Sequence, residues 1–224
     1  MDSSASAQLP IERFTALEAV PSIQHAFIAR VAGIDVASDK AEALRRLDGV
    51  HREVRRSLGV AEFPFVTAEQ VHGRGVAVVD APVSSDHRFA GCDGVVTNQR
   101  GLLLGIYVAD CGAVFLVDPV RRAIGLVHSG KKGTELGIVG NAIELMRERF
   151  GSAPEDLIVQ LGPCIRPPHY EIDFAADVIR QCRERGVGNV HDSGVCTACD
   201  LDRYYSYRAE KSRTGRMLAL LALV

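Results

Sequence analysis

Between residues 94 and 130 the chain passes through four apolar segments with hardly a break: "GVVTN", "GLLLGIYVAD", "AVFLVDP" and "AIGLVHSG". Short turns, "NQRG" and "DPVRR", are the main interruptions. The segments lack the polar alternation of a half-solvated strand, so each is expected to be a strand buried on both faces. Such strands need covering layers. Residues 40–58 supply one candidate, with apolar positions at 44, 47, 50, 54 and 58 and a basic outer face, where His51 is expected to be solvated. Residues 134–150 supply another, with a stripe of Ile138, Ala142, Leu145, Met146 and Phe150. A third is "FAADVIRQCRERG", stopped by Gly186.

Further strands are expected at residues 23–29, in "FVTAEQVHG" with "GVAVVDAP" as its continuation or hairpin partner, and in "LIVQLGP", "RYYSYRAE" and "MLALLALV". "PVSSDHRFAGC" reads as a polar loop and residues 1–10 as a disordered tail. With 224 residues, 47% of them hydrophobic, the chain can bury a sizeable core. The expectation is a single α/β domain over residues 11–224 with mixed β-sheets and no internal repeat.

A formal net charge of −2 gives no reason to expect a nucleic-acid or membrane surface, and no apolar run reaches spanning length. "MDSSASAQLP" lacks the features of a signal peptide. A cytoplasmic protein is therefore expected, with its six cysteines (92, 111, 164, 182, 196, 199) mostly free thiols. "CTAC" has zinc-knuckle spacing but no matching second pair, and no helix opens at it, so it reads as a loop.

His72, Cys111 and His128 each end an apolar run, and glycine follows at once or after one residue. Glycine permits a sharp turn and close approach of a ligand. Two imidazoles and a thiolate suit zinc, with copper as a possible substitute, and three protein ligands leave an open catalytic position. The spacings of 39 and 17 residues are equally compatible with core side chains that merely find hydrogen bonds. After His128, Ser129, Gly130, Gly133 and Thr134 lead into a helix, with Thr134 a candidate N-cap. Free N–H groups there, with Lys131 and Lys132, would suit phosphate. The alternative is a solvated lysine pair. The order of a Walker loop is missing.

"TAEQVHG", "DGVVTNQRGLLLGIYVADCGAVFLVDP", "IGLVHSGKKGTELGIV", "LGPCIRPPHYEI" and "YYSYRAEKSRTGRMLALL" together resemble successive motifs of the laccase-domain, or polyphenol oxidase, family, from about Gln24 to the C-terminus. Its members are treated as purine nucleoside phosphorylases with adenosine deaminase side activity. The resemblance implies a layered α/β/β/α fold and a zinc site of His72, Cys111 and His128, which would also be the catalytic centre. It implies a purine nucleoside and phosphate as partners. "FIAR" matches an early "F-S-T-R" element, making Arg30 an anion-contact candidate beside Lys131 and Lys132. Gln70, two residues before His72 on an expected strand, should share its face and reach substrate. Asp110, Glu69 and His169 are the candidate acids or bases. The chain is expected to be a monomer or homodimer.

The chain departs from the family pattern in several places. "HSGKKG" replaces the usual "HAGWRG", so lysine point charges stand where relatives carry Trp and a two-point arginine grip. "RPPHYEI" puts Pro168 and His169 at two cysteine positions. The segment before "SGVCT" is short, so a helix bordering the site is expected to be missing, and the early "GGVS…NLG" stretch is barely visible. True multicopper oxidation, which needs about ten histidines in H-x-H pairs, does not fit seven histidines with no such pair. Two alternatives stand beside the phosphorylase: a Cys/His amidase or peptidoglycan-precursor editing hydrolase without metal, and a zinc- and nucleoside-binding member without turnover.

Overall fold

The four apolar runs do not share one sheet. In the computed structural model, which describes residues 9–224, the strands are β1 Ile11–Glu12, β2 Ile23–Ile28, β3 Phe65–Ala68, β4 Val76–Val79, β5 His87–Phe89, β6 Gly94–Thr97, β7 Leu103–Val108, β8 Gly112–Asp118, β9 Ala123–Ser129, β10 Ile158–Leu161, β11 Asn189–Asp192 and β12 Met217–Leu223. The helices are α1 Thr15–Glu18, α2 Lys40–Ser57, α3 Lys131–Glu135, α4 Ile138–Phe150 and α5 Phe174–Glu184. One six-stranded sheet has the order β1-β2-β12-β7-β3-β5, the other β11-β10-β8-β9-β6-β4. Both mix parallel and antiparallel pairs.

The period of two sorts each apolar strand between two cores. Leu104, Ile106 and Val108 of β7 join Ala113, Phe115 and Val117 of β8 and Ile124 and Leu126 of β9 between the sheets. Val114 and Leu116 of β8 and Val127 of β9 point the other way, onto Val139, Ile143 and Met146 of α4 and Phe174 and Val178 of α5. Leu103 of β7 and Leu218 and Leu220 of β12 pack outward against Val54 and Leu58 at the end of α2. The result is a single α/β domain layered α/β/β/α. Strands covered on both faces need no polar side, which is why these runs are continuous in the sequence. Among the described residues no helix is long and apolar enough to cross a membrane.

α2 starts where Asp39 caps it, its carboxylate accepting from the N–H groups of Ala41 and Glu42 at 2.9 and 3.1 Å. Leu47 and Val54 are fully buried, and burying each contributes about 1.5–3 kcal/mol. His51 is not solvated: it is 4% exposed and packs against the Tyr107 ring, 5.9 Å between centroids. It lies one turn from Leu47 and Val54, on the buried stripe and not among the arginines.

Several expectations are corrected. "GVAVVDAP" is neither continuation nor hairpin partner of "FVTAEQVHG": β3 lies in the first sheet and β4 in the second, paired with β6. "PVSSDHRFAGC" contains β5, a short parallel partner of β3. "RYYSYRAE" is a series of turns, not a strand. The helix expected over 134–150 is two helices, broken at Gly137 with φ 76°, a left-handed conformation glycine adopts without strain. Between α5 and "CTAC" the chain passes through β11 alone, without a further helix. The expectation of a disordered tail concerns, for residues 1–8, a stretch outside the described residues. At position 10 the Pro10 carbonyl already accepts from the Ala29 N–H at 2.9 Å.

Candidate metal centre and cleft

Three connections bring the predicted ligands together. His128 is on β9, paired with Ala113 of β8. Cys111 lies between β7 and β8, where the chain crosses from one sheet to the other. His72 is not at a strand end. It sits in a loop after β3, with φ 60°, and Gln70 has φ 66°. The ligand atoms of His72, Cys111 and His128 all lie within 4.8 Å of one another. The two imidazoles meet edge to face at 4.8 Å between centroids.

Asp93, which the sequence reading did not single out, organises this cluster. It is 0% exposed and starts the turn into β6. One carboxylate oxygen accepts from the His72 N–H at 2.8 Å and from His128 Nδ1 at 2.9 Å. The other accepts from the N–H groups of Gly73 at 2.7 Å and Val71 at 3.2 Å. The left-handed residues 70 and 72 turn three successive N–H groups toward one carboxylate, an anion nest. Its main chain also takes part, since the Asp93 carbonyl accepts from the His128 N–H at 2.7 Å. With Nδ1 donating to Asp93, Nε2 of His128 is left for the cluster, the usual orientation of a metal-binding histidine. The sequence signal for Asp93 was a lone carboxylate directly before an apolar strand.

The electrostatics follow from these contacts. Burial pushes the Cys111 thiol up, but hydrogen bonds from His128 and His72, and their charges, outweigh it and bring its pKa down to about 6. The direction favours the thiolate, the form that binds a metal. Burial pushes His128 down, and its bonds to Asp93 and Cys111 outweigh this and raise it to about 9. A Cβ at Gly130 would stand 2.5 Å from Cys111 Sγ and 3.8 Å from His72 Cδ2. Glycine there keeps the sulfur's surroundings open. Two imidazoles, an acidic thiol, a carboxylate behind one imidazole and an uncrowded sulfur fit zinc. The same donors would accept copper.

The cluster lies in the wall of a cleft of about 800 Å³, which also receives Lys40, Gln70, Tyr107, Asp110, Lys131, Lys132, Tyr170, Phe174, Tyr207, Arg208 and Arg216. Asp110 has φ 80° and is held on both oxygens, by the Thr197 hydroxyl at 2.8 Å and the Arg208 N–H at 2.7 Å. It thereby fastens the "CTAC" loop and the turn at 208 to the residue before Cys111. Gln70 lines the cleft, but its amide is committed to β7: Nε2 donates to the Tyr107 carbonyl at 2.5 Å and Oε1 accepts from the Tyr107 N–H at 3.1 Å. Lys131 and Arg208 both reach Glu171, at 3.7 and 3.1 Å.

Three sequence candidates are not brought to the cleft. Arg30 pairs with Glu210 at 2.6 Å, donates to the Tyr204 carbonyl and lies 4.3 Å over the Tyr205 ring. Glu69 accepts from the Gly91 N–H at 2.8 Å. His169 sits exposed on the turn after β10, and its neighbour Tyr170 faces the cleft. Thr134 is not an N-cap. It is inside α3, its hydroxyl bonded to Gly130 O and Ser129 Oγ, each at 2.8 Å. Because α3 has only five residues, its dipole is too short to make a strong anion site. The "CTAC" thiols are free, Cys196 half-buried and Cys199 exposed.

The sequence matches the family described as multi-copper polyphenol oxidoreductase laccase over residues 29–180 and 171–224. Among its relatives, the purine nucleoside phosphorylase ORF3 of Streptomyces griseus is 34% identical over 196 residues, 75% of this chain and 78% of that protein. A purine nucleoside phosphorylase of Deinococcus radiodurans is 31% identical over 235 residues, 90% of each chain. The crystal structure of YlmD from Geobacillus stearothermophilus superposes with a TM-score of 0.80 over 91% of this chain and 93% of that one, at 24% identity. The chain belongs to this laccase-like family.

Proposed function

We propose that the protein is a zinc-dependent purine nucleoside phosphorylase, cleaving adenosine, inosine or methylthioadenosine with phosphate. The observation that carries this reading is the His72–Cys111–His128 cluster in the wall of a cleft that also collects lysines, arginines and aromatic rings. The names of its relatives support it. His72, Cys111 and His128 would hold the metal. Bound there, zinc would supply a Lewis acid able to polarise a purine substituent, or to acidify water for deamination of adenosine.

The chain's own groups would do the rest. Aromatic rings of Tyr170, Phe174 and Tyr207 offer the purine flat apolar contact. Cationic side chains hold phosphate against the ribose and stabilise the charge that develops as the sugar becomes oxocarbenium-like. A phosphate oxygen forms a bond to C1′ while the C1′–N9 bond breaks, its electron pair leaving with the base. The proton the purine gains balances the one hydrogen phosphate loses. Asp110 is the acid or base candidate that lines the cleft. With both oxygens already accepting hydrogen bonds, it acts chiefly by orienting Cys111 and the turn at 208.

A second reading is favoured by one observation, the Cys111 sulfur lying within 4.8 Å of a ring nitrogen of His72 and one of His128, with His128 held by Asp93. In a metal-free protein Cys111 and His128 would serve as nucleophile and base of an amide hydrolase. Incubating the purified protein with adenosine, inosine and methylthioadenosine, with and without phosphate, tests the proposal. Expected are free purine and a ribose 1-phosphate that require phosphate. Turnover of an amide by metal-free protein would support the second reading. The absence of any product would leave only binding.

A further inference from the structure

The cations around the cleft fall into two groups. Lys131 and Arg208 share the Glu171 carboxylate at 3.7 and 3.1 Å, so their charge is already partly matched. Lys132, exposed beside them, has no carboxylate partner within 4 Å among the described residues, and neither has Lys40, which is also exposed, nor the half-buried Arg216. All three line the cleft. Lys40 and Arg216 differ from Lys132 in where the chain places them.

Each is placed against a local rule. Lys40 is the first residue of the 18-residue helix α2, where the helix dipole disfavours a cation. Asp39 has already occupied the free N–H groups of Ala41 and Glu42, so these amides of the helix start are not offered to a ligand. Arg216 is half-buried at the entrance to β12. One guanidinium nitrogen, Nη1, donates to the carbonyls of Thr214 and Gly215, each at 2.8 Å. The guanidinium Cζ lies 5.7 Å from the centroid of the Tyr207 ring. These contacts fix the fork and leave Nε and Nη2 available as donors.

The two cations also act on each other. Lys40 is exposed at the surface, but partial loss of water around its ammonium, then the charges of Arg216 and Arg88, hold it below its ordinary range, and burial does the same to Arg216. The charges of Asp93 on Lys40 and of Tyr207, Cys111 and Asp110 on Arg216 oppose this only in part, and no carboxylate pairs with either cation within 4 Å among the described residues, so an anionic ligand would relieve the repulsion between them. Local rules broken in this way mark functional positions. A lysine point charge beside a fixed arginine fork matches a tetrahedral dianion.

We propose that Lys40 and Arg216 form the phosphate seat of the cleft, in place of the α3 turn with Lys131 and Lys132. The inference rests on the phosphorylase reading for the source of the anion, inorganic phosphate. The test is phosphate dependence in Lys40→Gln and Arg216→Gln, with Lys132→Gln as comparator and calorimetric titration of inorganic phosphate into each protein. Loss of one charge-assisted contact is expected to raise the phosphate KM about tenfold or more in each of the first two, and to weaken phosphate binding equally. The nucleoside KM and the Lys132→Gln phosphate KM should move less than about threefold. Arg216→Lys, which keeps the charge but loses the fork, should fall between the wild type and Arg216→Gln.

An unchanged phosphate KM in both variants, or a larger effect from Lys132→Gln, would overturn the seat. So would Lys40→Gln weakening adenosine 5′-monophosphate but not free phosphate, which would assign the cations to a nucleotide. If the wild type binds phosphate through these residues yet turns nothing over, the seat stands and the phosphorylase reading fails. If the wild type cleaves nucleosides with phosphate and the variants are unaffected, the reverse holds.

Discussion

Two histidines of this protein are equally hidden, His51 and His128, each 4% exposed, and they behave in opposite ways. His51 lies under α2 against Tyr107, and its Nε2 has no hydrogen-bond partner. Burial pushes it down to about 4, with Asp48 only weakly opposing. His128 has Asp93 on one side and Cys111 on the other, and these outweigh burial to raise it to about 9. Burial alone therefore does not decide what a buried imidazole does. The groups placed around it decide, and placing them takes residues from β3's loop, the β6 turn, the β7–β8 crossing and β9. The region around His51 needed only one helix laid on one sheet.

The site half of the comparison breaks most sharply at Gly130. Gly130→Ala would put a methyl group 2.5 Å from Cys111 Sγ, closer than any tolerated contact, so the thiol must move. Loss of bound metal is expected, with activity down by more than about 100-fold. Metal content by elemental analysis checks it, and full metal loading would show that the sulfur is not a ligand.

Asp93→Asn tests what holds His128. An amide keeps the shape but cannot accept from His128 and three backbone N–H groups as a carboxylate does. Metal affinity is expected to fall about 10–100-fold. A competition titration with a chelating dye measures the change.

His51→Leu is the smallest perturbation and addresses the other half. A histidine held down at about 4 when folded, against an ordinary value of 6.5, is neutral in the folded protein. As the pH falls below 6.5 the unfolded chain takes up a proton that the folded one refuses, so stability is lost progressively between pH 6.5 and 4. The full effect is about 3 kcal/mol. His51→Leu should remove that share of the acid sensitivity and leave stability near pH 7 unchanged or improved, since an unpaired buried nitrogen is lost with it. Urea unfolding at pH 7 and pH 5 reads both, and activity should be untouched. His25, also held down to about 4 by burial and by Arg13, should keep the variant partly acid-sensitive. An unchanged difference between the two pH values would mean that His51 is not buried as described.

Much of the fold could be read along the chain, because continuous apolar strands and the stripes of α2, α4 and α5 are local patterns. Sheet membership could not. β3 and β4 carry similar alternation yet lie in different sheets, a fact set by partners far away in sequence. His51 looks solvated in sequence because charged residues surround it there, but it joins the buried stripe of Leu47 and Val54 on the helix. The candidate ligands His72, Cys111 and His128 stand out by residue type at the ends of apolar runs. Gln70 lines the cleft with His72, but not by a strand's alternation, since the loop after β3 is left-handed at residues 70 and 72, and its amide is bonded to the Tyr107 main chain. Asp93 escaped notice because its importance lies in four contacts, three of them to main-chain groups that carry no sequence signal.

If His72, Cys111 and His128 form one metal centre, activity should depend on it. Measuring zinc stoichiometry together with phosphate-dependent cleavage of adenosine and inosine, in the wild type and in Cys111→Ala, tests it most directly. Expected is one tightly held zinc per wild-type chain, with metal and activity lost together in the variant. A variant that loses its metal and keeps full activity would contradict the account.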